Sequence, residues 1–222
     1  MTVRIGLVHA LFSSIAPVEA AFSRTWPDAE TVSLYDYSLY ADYRHWGEVT
    51  PEITRRVTAL LNHTAQTGAH GILFTGSLFS ESVELARTSM SIPVLTAYEA
   101  MIEEAFTVDT HLGLLATVSD TITMIKRDTA RYASQHGISH TLDSRFVPGA
   151  MDALQAGDQS RHDNLIAKAA GELEDCNALM LAQHSMGPAH SLVEKVPGRK
   201  ILTSPDTAAF KLKHLISASF CP

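Results

Sequence analysis

Short apolar runs alternate with amphipathic stretches along the whole chain. Residues 4–10 (RIGLVHA) read as a strand, and 16–26 (APVEAAFSRTW) as a helix with Pro17 in its first turn, where a missing N–H costs nothing. Residues 30–37 (ETVSLYDY) read as a short strand that leads into a long polar-aromatic loop. Residues 50–68 (TPEITRRVTALLNHTAQTG) carry every mark of a helix: Thr50 as cap, Pro51 in the first turn and Gly68 as terminator. Ile53, Val57, Leu60, Leu61 and Thr64 form its apolar stripe. A strand at 71–75 (GILFT), a helix from Ser80 to about Thr88, a strand at 92–96 (IPVLT) and a helix at 99–106 (EAMIEEAF) follow. Near-continuous apolar strands joined by helices predict an α/β protein with parallel sheets covered on both faces.

The pattern then repeats. RIGLVHA (4–10) matches HLGLLAT (111–117), GILFTGS (71–77) matches ALMLAQH (178–184), and PVLTAY (93–98) matches KILTSP (200–205). Gly6 falls on Gly113, Gly76 on Gln183 and Leu95 on Leu202, a constant offset of 107 residues. Three matches in one register predict an internal duplication. The expected lobes are 1–97 with about 205–222, and 98–204. Four strand-end loops, 9–14, 76–80, 117–122 and 183–187, are expected to meet at a cleft, a usual place for a small-molecule site.

Composition narrows the function. The 222 residues are 45% hydrophobic and 18% charged, as in an ordinary soluble globule, and are long enough for a substantial core. A net charge of −7 argues against nucleic acid or an anionic membrane as the main partner. No apolar run reaches the roughly 18 residues that span a bilayer. The opening MTVRIGLVHALFSS has one basic residue, a histidine inside its apolar run and no small-residue cleavage pattern, so it reads as a first strand rather than a signal peptide. Cys176 and Cys221 give neither a disulfide framework nor a zinc spacing, which fits a reducing cytoplasm. The eleven histidines show no HxH or HExxH grouping, so no metal or cofactor is expected.

In the order IGLVHA, GAHGILFTGSLFSESVE, IPVLTAYEAMIEEA, LGLLATVSDTITM, ALMLAQHSM, ILTSPDTAAFKL, the chain resembles the aspartate/glutamate racemase superfamily. That superfamily includes hydantoin and allantoin racemases, maleate isomerase and arylmalonate decarboxylase. The resemblance covers most of the chain and implies two similar α/β lobes related by a pseudo-twofold axis, with the site between them. It also implies that loop amides and hydroxyls hold a substrate carboxylate, helped by helix amino-termini. Carried onto this sequence, the substrate-binding positions are Gly76, Ser77, Leu78, Thr117, Thr121, Gln183 and Ser185. Capping of the following helices is the plainer role for Ser77, Thr121 and Ser185.

The resemblance stops at the catalytic positions. Racemases of this kind place one cysteine at each of two equivalent strand tips, and the matching residues here are Gly76 and Gln183. Neither can move a proton. Decarboxylases of the superfamily keep glycine at the first position but cysteine at the second, so this chain departs from both patterns. Cys176 lies seven residues before Gln183, roughly 20 Å from the strand tip, and reads as a small buried hydrophobe. Gly76 is expected to give room for close approach of ligand or backbone, or to mark a tight turn.

His184 and His9 are the candidate acid–base residues, each with a structural role as the alternative. The aromatic stretch 36–46 (DYSLYADYRHW) walls the pocket, packs on the surface or forms a dimer contact, so a homo-oligomer stays open. Three functions follow from the resemblance and the departure together. One is an enzyme using non-thiol chemistry on a small carboxylate or carbonyl acid, of lyase, decarboxylase or isomerase type. The others are an amino-acid or hydantoin racemase, and a catalytically silent carboxylate-binding protein.

Overall fold

The computed structural model describes residues 2–193 and 199–220, which leaves Cys221 outside the described residues. The chain divides into two compact units, Met1–Ala97 with Ala208–Pro222, and Tyr98–Thr207. In the first unit β1 (Arg4–His9), α1 (Ile15–Thr25), β2 (Glu30–Tyr35), α2 (Ser38–Trp46), α3 (Pro51–Gln66), β3 (Gly71–Phe74), α4 (Ser80–Arg87) and β4 (Val94–Leu95) follow one another. Their four strands form a parallel sheet in the order β2-β1-β3-β4. The opening segment is thus a strand, with Ile5, Leu7 and Val8 fully buried.

The second unit runs α5 (Glu99–Val108), β5 (His111–Ala116), α6 (Ser119–His136), β6 (Thr141–Phe146), α7 (Ala150–Gln155), α8 (Gln159–Ala170), β7 (Ala178–Leu181), α9 (His190–Val193) and β8 (Lys200–Thr203). Its sheet is again parallel, in the order β6-β5-β7-β8. Helix α10 (Ser204–Phe220) begins in this unit and continues into the first. No described helix is long and apolar enough to cross a membrane.

Strand registers repeat between the units. Ile5 pairs with Gly71 as Leu112 pairs with Ala178, and Ile72 with Val94 as Leu179 with Ile201, all shifted by 107. The second strand departs from that offset: Gly6 pairs with Val32 and Gly113 with Asp143, a shift of 111 for the partner. The second unit therefore carries four more residues between its first two strands. Strands β3 and β7 are buried along their whole length, as expected for central parallel strands.

Helix α3 forms as its sequence dictates. The Thr50 hydroxyl accepts from Ile53 N at 3.3 Å, Pro51 fills the first turn, and Ile53, Val57, Leu61 and Thr64 are buried. Residues 38–46 correct the sequence expectation of a loop: they form α2. Leu39 is fully buried and Tyr40 and Tyr43 pack on the same core, a helical spacing of apolar positions. Asp36 Oδ1 accepts from Ser38 N at 2.9 Å at the entry, and Gly47 closes the helix in the left-handed region with φ 75°.

Arg56 of α3 clamps this helix in place. Its guanidinium donates to Asp36 Oδ2 at 3.0 Å and also reaches Ser38 and Asp42. Burial by itself would raise the Asp36 pKa, but hydrogen bonds from Ser38 and Arg56 and the Arg56 charge hold it below 3.8. A depressed carboxylate contributes stability above its unfolded-state pKa, and that contribution is lost as pH falls through the folded-state value. Asp36→Asn is therefore expected to cost on the order of 0.5–1 kcal/mol near neutral pH and little at about pH 2. Urea denaturation at both pH values checks this, and an equal cost at the two would remove the ionic part of the clamp.

Candidate functional site

At the first unit's strand tips, β1 ends in His9, which is fully buried. Its Nδ1 lies 2.9 Å from Ser14 Oγ and 3.2 Å from Thr75 Oγ1, and those two hydroxyls are 3.1 Å apart. Ser33 donates to Glu19 Oε1 at 2.6 Å, which leaves its oxygen to accept from His9 Nε2 at 3.4 Å. That makes Nε2 a donor; Ser14 Oγ donates to Leu11 O at 2.7 Å, so Thr75 is the hydroxyl beside Nδ1 with a proton left to share. Both ring nitrogens are thus engaged by the protein itself. The geometry makes His9 a brace that ties the β1 tip to the β2 and β3 strands.

Gly76 follows β3 with φ −89°, a conformation open to any residue. What excludes a side chain is packing. An added Cβ would stand 2.8 Å from Phe74 Cε1, 2.9 Å from Ala10 Cβ and 2.9 Å from Phe79 Cδ2. Of the roles open to Gly76, close approach of a ligand or of the protein's own chain or a tight turn, the packing supports approach by the protein itself: the side-chain direction is filled by carbons of Phe74, Ala10 and Phe79. A half-buried Leu78 packs against the same core, and Ser77 O accepts from Ser80 Oγ at 2.9 Å.

The second unit arranges the equivalent positions differently. Thr117 (2% exposed) follows β5, and Gln183 follows the β7 tip. Gln183 Oε1 accepts from Thr117 N at 2.8 Å and from Thr117 Oγ1 at 3.2 Å. The same oxygen therefore satisfies a backbone amide and a hydroxyl. Gln183 Nε2, in contrast, is buried with no hydrogen-bond partner among the described residues. Met186 N donates to Gln183 O at 2.9 Å, so a short turn fixes the backbone around the amide. His184 is 7% exposed, with its ring 6.4 Å from that of Tyr98, and Ser185 is half-buried. Thr121, buried in the first turn of α6, donates through its N–H to Val118 O at 3.2 Å.

The two tips are thus polar in different places. Position 183 sends its side chain toward Thr117, as the Cβ direction of Gly76 points toward Ala10 at the same offset. Conversely, His9, Ser14 and Thr75 correspond at that offset to Ala116, Thr121 and Ala182. Chemically, the Gln183 tip offers a held amide donor beside an imidazole. The His9 tip offers a closed network.

Cys176 lies before β7, at the far end of the strand from Gln183, and is 1% exposed. Burial, with the Asp143 charge second, pushes its thiol pKa up. It is no substitute for a strand-tip thiolate. Residues 36–46 place Tyr37 and Trp46 in solvent and Tyr40 against Phe79, their rings edge-to-face with centroids 6.5 Å apart. The outer aromatics Phe12 and Tyr35 form a second edge-to-face pair with centroids 6.0 Å apart.

The sequence matches the Asp/Glu/hydantoin racemase family over residues 18–211, and the chain belongs to that family. Solved structures share the fold. An allantoin racemase from Klebsiella pneumoniae superposes with a TM-score of 0.71 at 14% identity, covering 98% of this chain and 89% of its own. A glutamate racemase from Bacillus anthracis gives 0.66 at 13% identity, covering 98% and 83%. Arylmalonate decarboxylase gives 0.67 at 16% identity, covering 96% and 92%. No protein of curated function matches the sequence significantly.

Proposed function

We propose that this protein is an enzyme of its family that acts on a small carboxylate or carbonyl acid by non-thiol chemistry, of lyase, decarboxylase or isomerase type. The observation that carries the reading is Gln183. Its amide is locked by two hydrogen bonds to Thr117, and its Nε2 is buried without a partner among the described residues. A buried unsatisfied donor costs about 1–3 kcal/mol, and a carboxylate or carbonyl oxygen accepting from it removes that cost. The amide then polarises the oxygen on which charge develops. His184, the next residue, is the proton donor or acceptor, and its imidazole serves near neutral pH. Ser185 and Thr121 supply further hydroxyls at the same tip. His9 is a positioning residue within its own unit.

Gly76 and Gln183 at the paired positions also argue against two-base racemisation. The test uses proton NMR in D2O with the purified protein and a panel of amino acids, hydantoins, substituted malonates and 2-oxo acids. The expected result is loss of CO2, elimination or isomerisation of one carboxylate, with no stereoinversion of aspartate, glutamate or hydantoin at ordinary turnover. Stereoinversion of any of these at ordinary turnover would overturn the non-thiol reading. Binding of a carboxylate without turnover would leave a silent binding protein.

A further inference from the structure

The second unit brings together three residues far apart in sequence: His111 at the start of β5, Asp143 on β6 and Cys176 just before β7. His111 Nε2 is 2.9 Å from Asp143 Oδ2 and 3.8 Å from Cys176 Sγ, and all three ligand atoms lie within 4.8 Å of one another. We propose that these side chains form a zinc site, with water as the fourth ligand, at the end of the sheet remote from Gln183. The strand between His111 and Thr117 puts about 20 Å between the two places, so the proposal does not rest on the proposed function.

Two of the three ligand separations are near what a tetrahedral ion requires, and the third, between the Asp143 carboxylate and Cys176 Sγ, is within 4.8 Å. With Zn–N near 2.0 Å and Zn–S near 2.3 Å, ligand atoms stand about 3.3–3.6 Å apart. The N···S separation is within a few tenths of an ångström of this, and the N···O pair needs to open by a similar amount. Sulfur and imidazole nitrogen select a borderline-soft ion and disfavour calcium or magnesium. A thiolate and a carboxylate neutralise a divalent charge. The side chains of His111 and Asp143 are 36% and 55% exposed, so an ion enters from solvent, while Cys176 is 1% exposed and fixed.

The backbone holds the ligands in place. Gly113 lacks the Cβ that would stand 3.1 Å from Cys176 Cβ and 3.3 Å from its Sγ, so the cysteine can lie across β5 toward His111. Asp109 Oδ1 accepts from His111 N at 3.1 Å, and its other oxygen accepts from the side chain of Asn177. That carboxylate therefore ties together the chain beside two of the three ligands. The first unit supplies an internal comparison. By the strand registers its equivalents are Arg4, Val32 and Ala69, none of them a zinc ligand. There Arg4 Nε pairs with Glu30 Oε2 at 3.0 Å instead. An ion pair between β5 and β6 would need only His111 and Asp143. The third group, a sulfur buried against the histidine, is what that explanation leaves unused.

The test uses reduced full-length protein stripped of metal by chelator, then titrated with cobalt(II) chloride and, separately, with zinc chloride against a chromogenic chelator. One equivalent per chain and a thiolate-to-cobalt charge-transfer band are expected. Cys176→Ala should abolish the band and weaken zinc binding. His111→Arg, which installs the first unit's residue, and the exposed Asp143→Asn should each weaken zinc binding at least tenfold while leaving the circular dichroism unchanged. Absence of the band in the parent protein, or its persistence in Cys176→Ala, would overturn the site. Unchanged zinc affinity in both His111→Arg and Asp143→Asn would do the same.

Discussion

Replacing Phe74 by alanine is expected to cost about 3–5 kcal/mol of folding stability. The ring closes β3, is fully buried, and meets Phe79 edge-to-face with centroids 6.1 Å apart. Its Cε1 also occupies the place where a Gly76 side chain would begin. Gly76→Ala alone should therefore cost about 1–3 kcal/mol, because three carbons inside 3.0 Å must move and none is the tip of a flexible chain. Combining it with Phe74→Leu should recover at least about 0.5 kcal/mol relative to the sum of the single changes, since the two residues contend for one space. Urea denaturation of the four proteins measures the cycle. A neutral Gly76→Ala would mean that the space is available and that the glycine serves a ligand after all. The same packing predicts that a cysteine at 76 disturbs the core before it can act as a base.

That packing shows what kind of information a sequence carries. Gly76 could be placed at a strand tip because GILFT is continuous and apolar and is followed by small residues. Its cause lay in Phe74, Ala10 and Phe79, and the closest approach of three side chains has no linear signature. Helix α3 was legible because Thr50, Pro51, an apolar stripe and Gly68 all agree. Helix α2 was not, since aromatics at 37, 40, 43 and 46 obscured the spacing of Leu39, Tyr40 and Tyr43, and its anchor is Arg56 from the next helix. The offset of 107 could be read where strands are buried on both faces. At β2 and β6 it was hidden by the four-residue shift and by half-exposed residues that leave little apolar pattern. Gln183 was readable as a position, but its partnership with Thr117 spans 66 residues. His111, Asp143 and Cys176, separated by 32 residues and then 33, form no spacing motif. Parallel sheets assemble such groups from remote segments, so ligand sets within them escape motif reading.

If the Gln183 tip does the chemistry, two substitutions there should fail in different ways. Gln183→Glu retains an oxygen for Thr117 N and Oγ1 but replaces the buried Nε2 donor with a second acceptor. A carboxylate there repels an anionic substrate and leaves its oxygen without a donor. Binding should weaken by about 2–4 kcal/mol, roughly 30- to 1000-fold, with the fold intact. His184→Gln keeps a polar side chain of similar length but cannot exchange protons near neutral pH. Turnover should fall about 10²–10⁴-fold with KM little changed, and the limb of the pH–rate profile set by the imidazole should vanish. His184 stands 7% exposed beside Tyr98, so a purely structural role would show as lost stability with an unaltered pH profile. Steady-state kinetics across pH, paired with denaturation, separates these outcomes. Full turnover in His184→Gln would remove the imidazole from the mechanism, and undiminished carboxylate binding in Gln183→Glu would remove the amide.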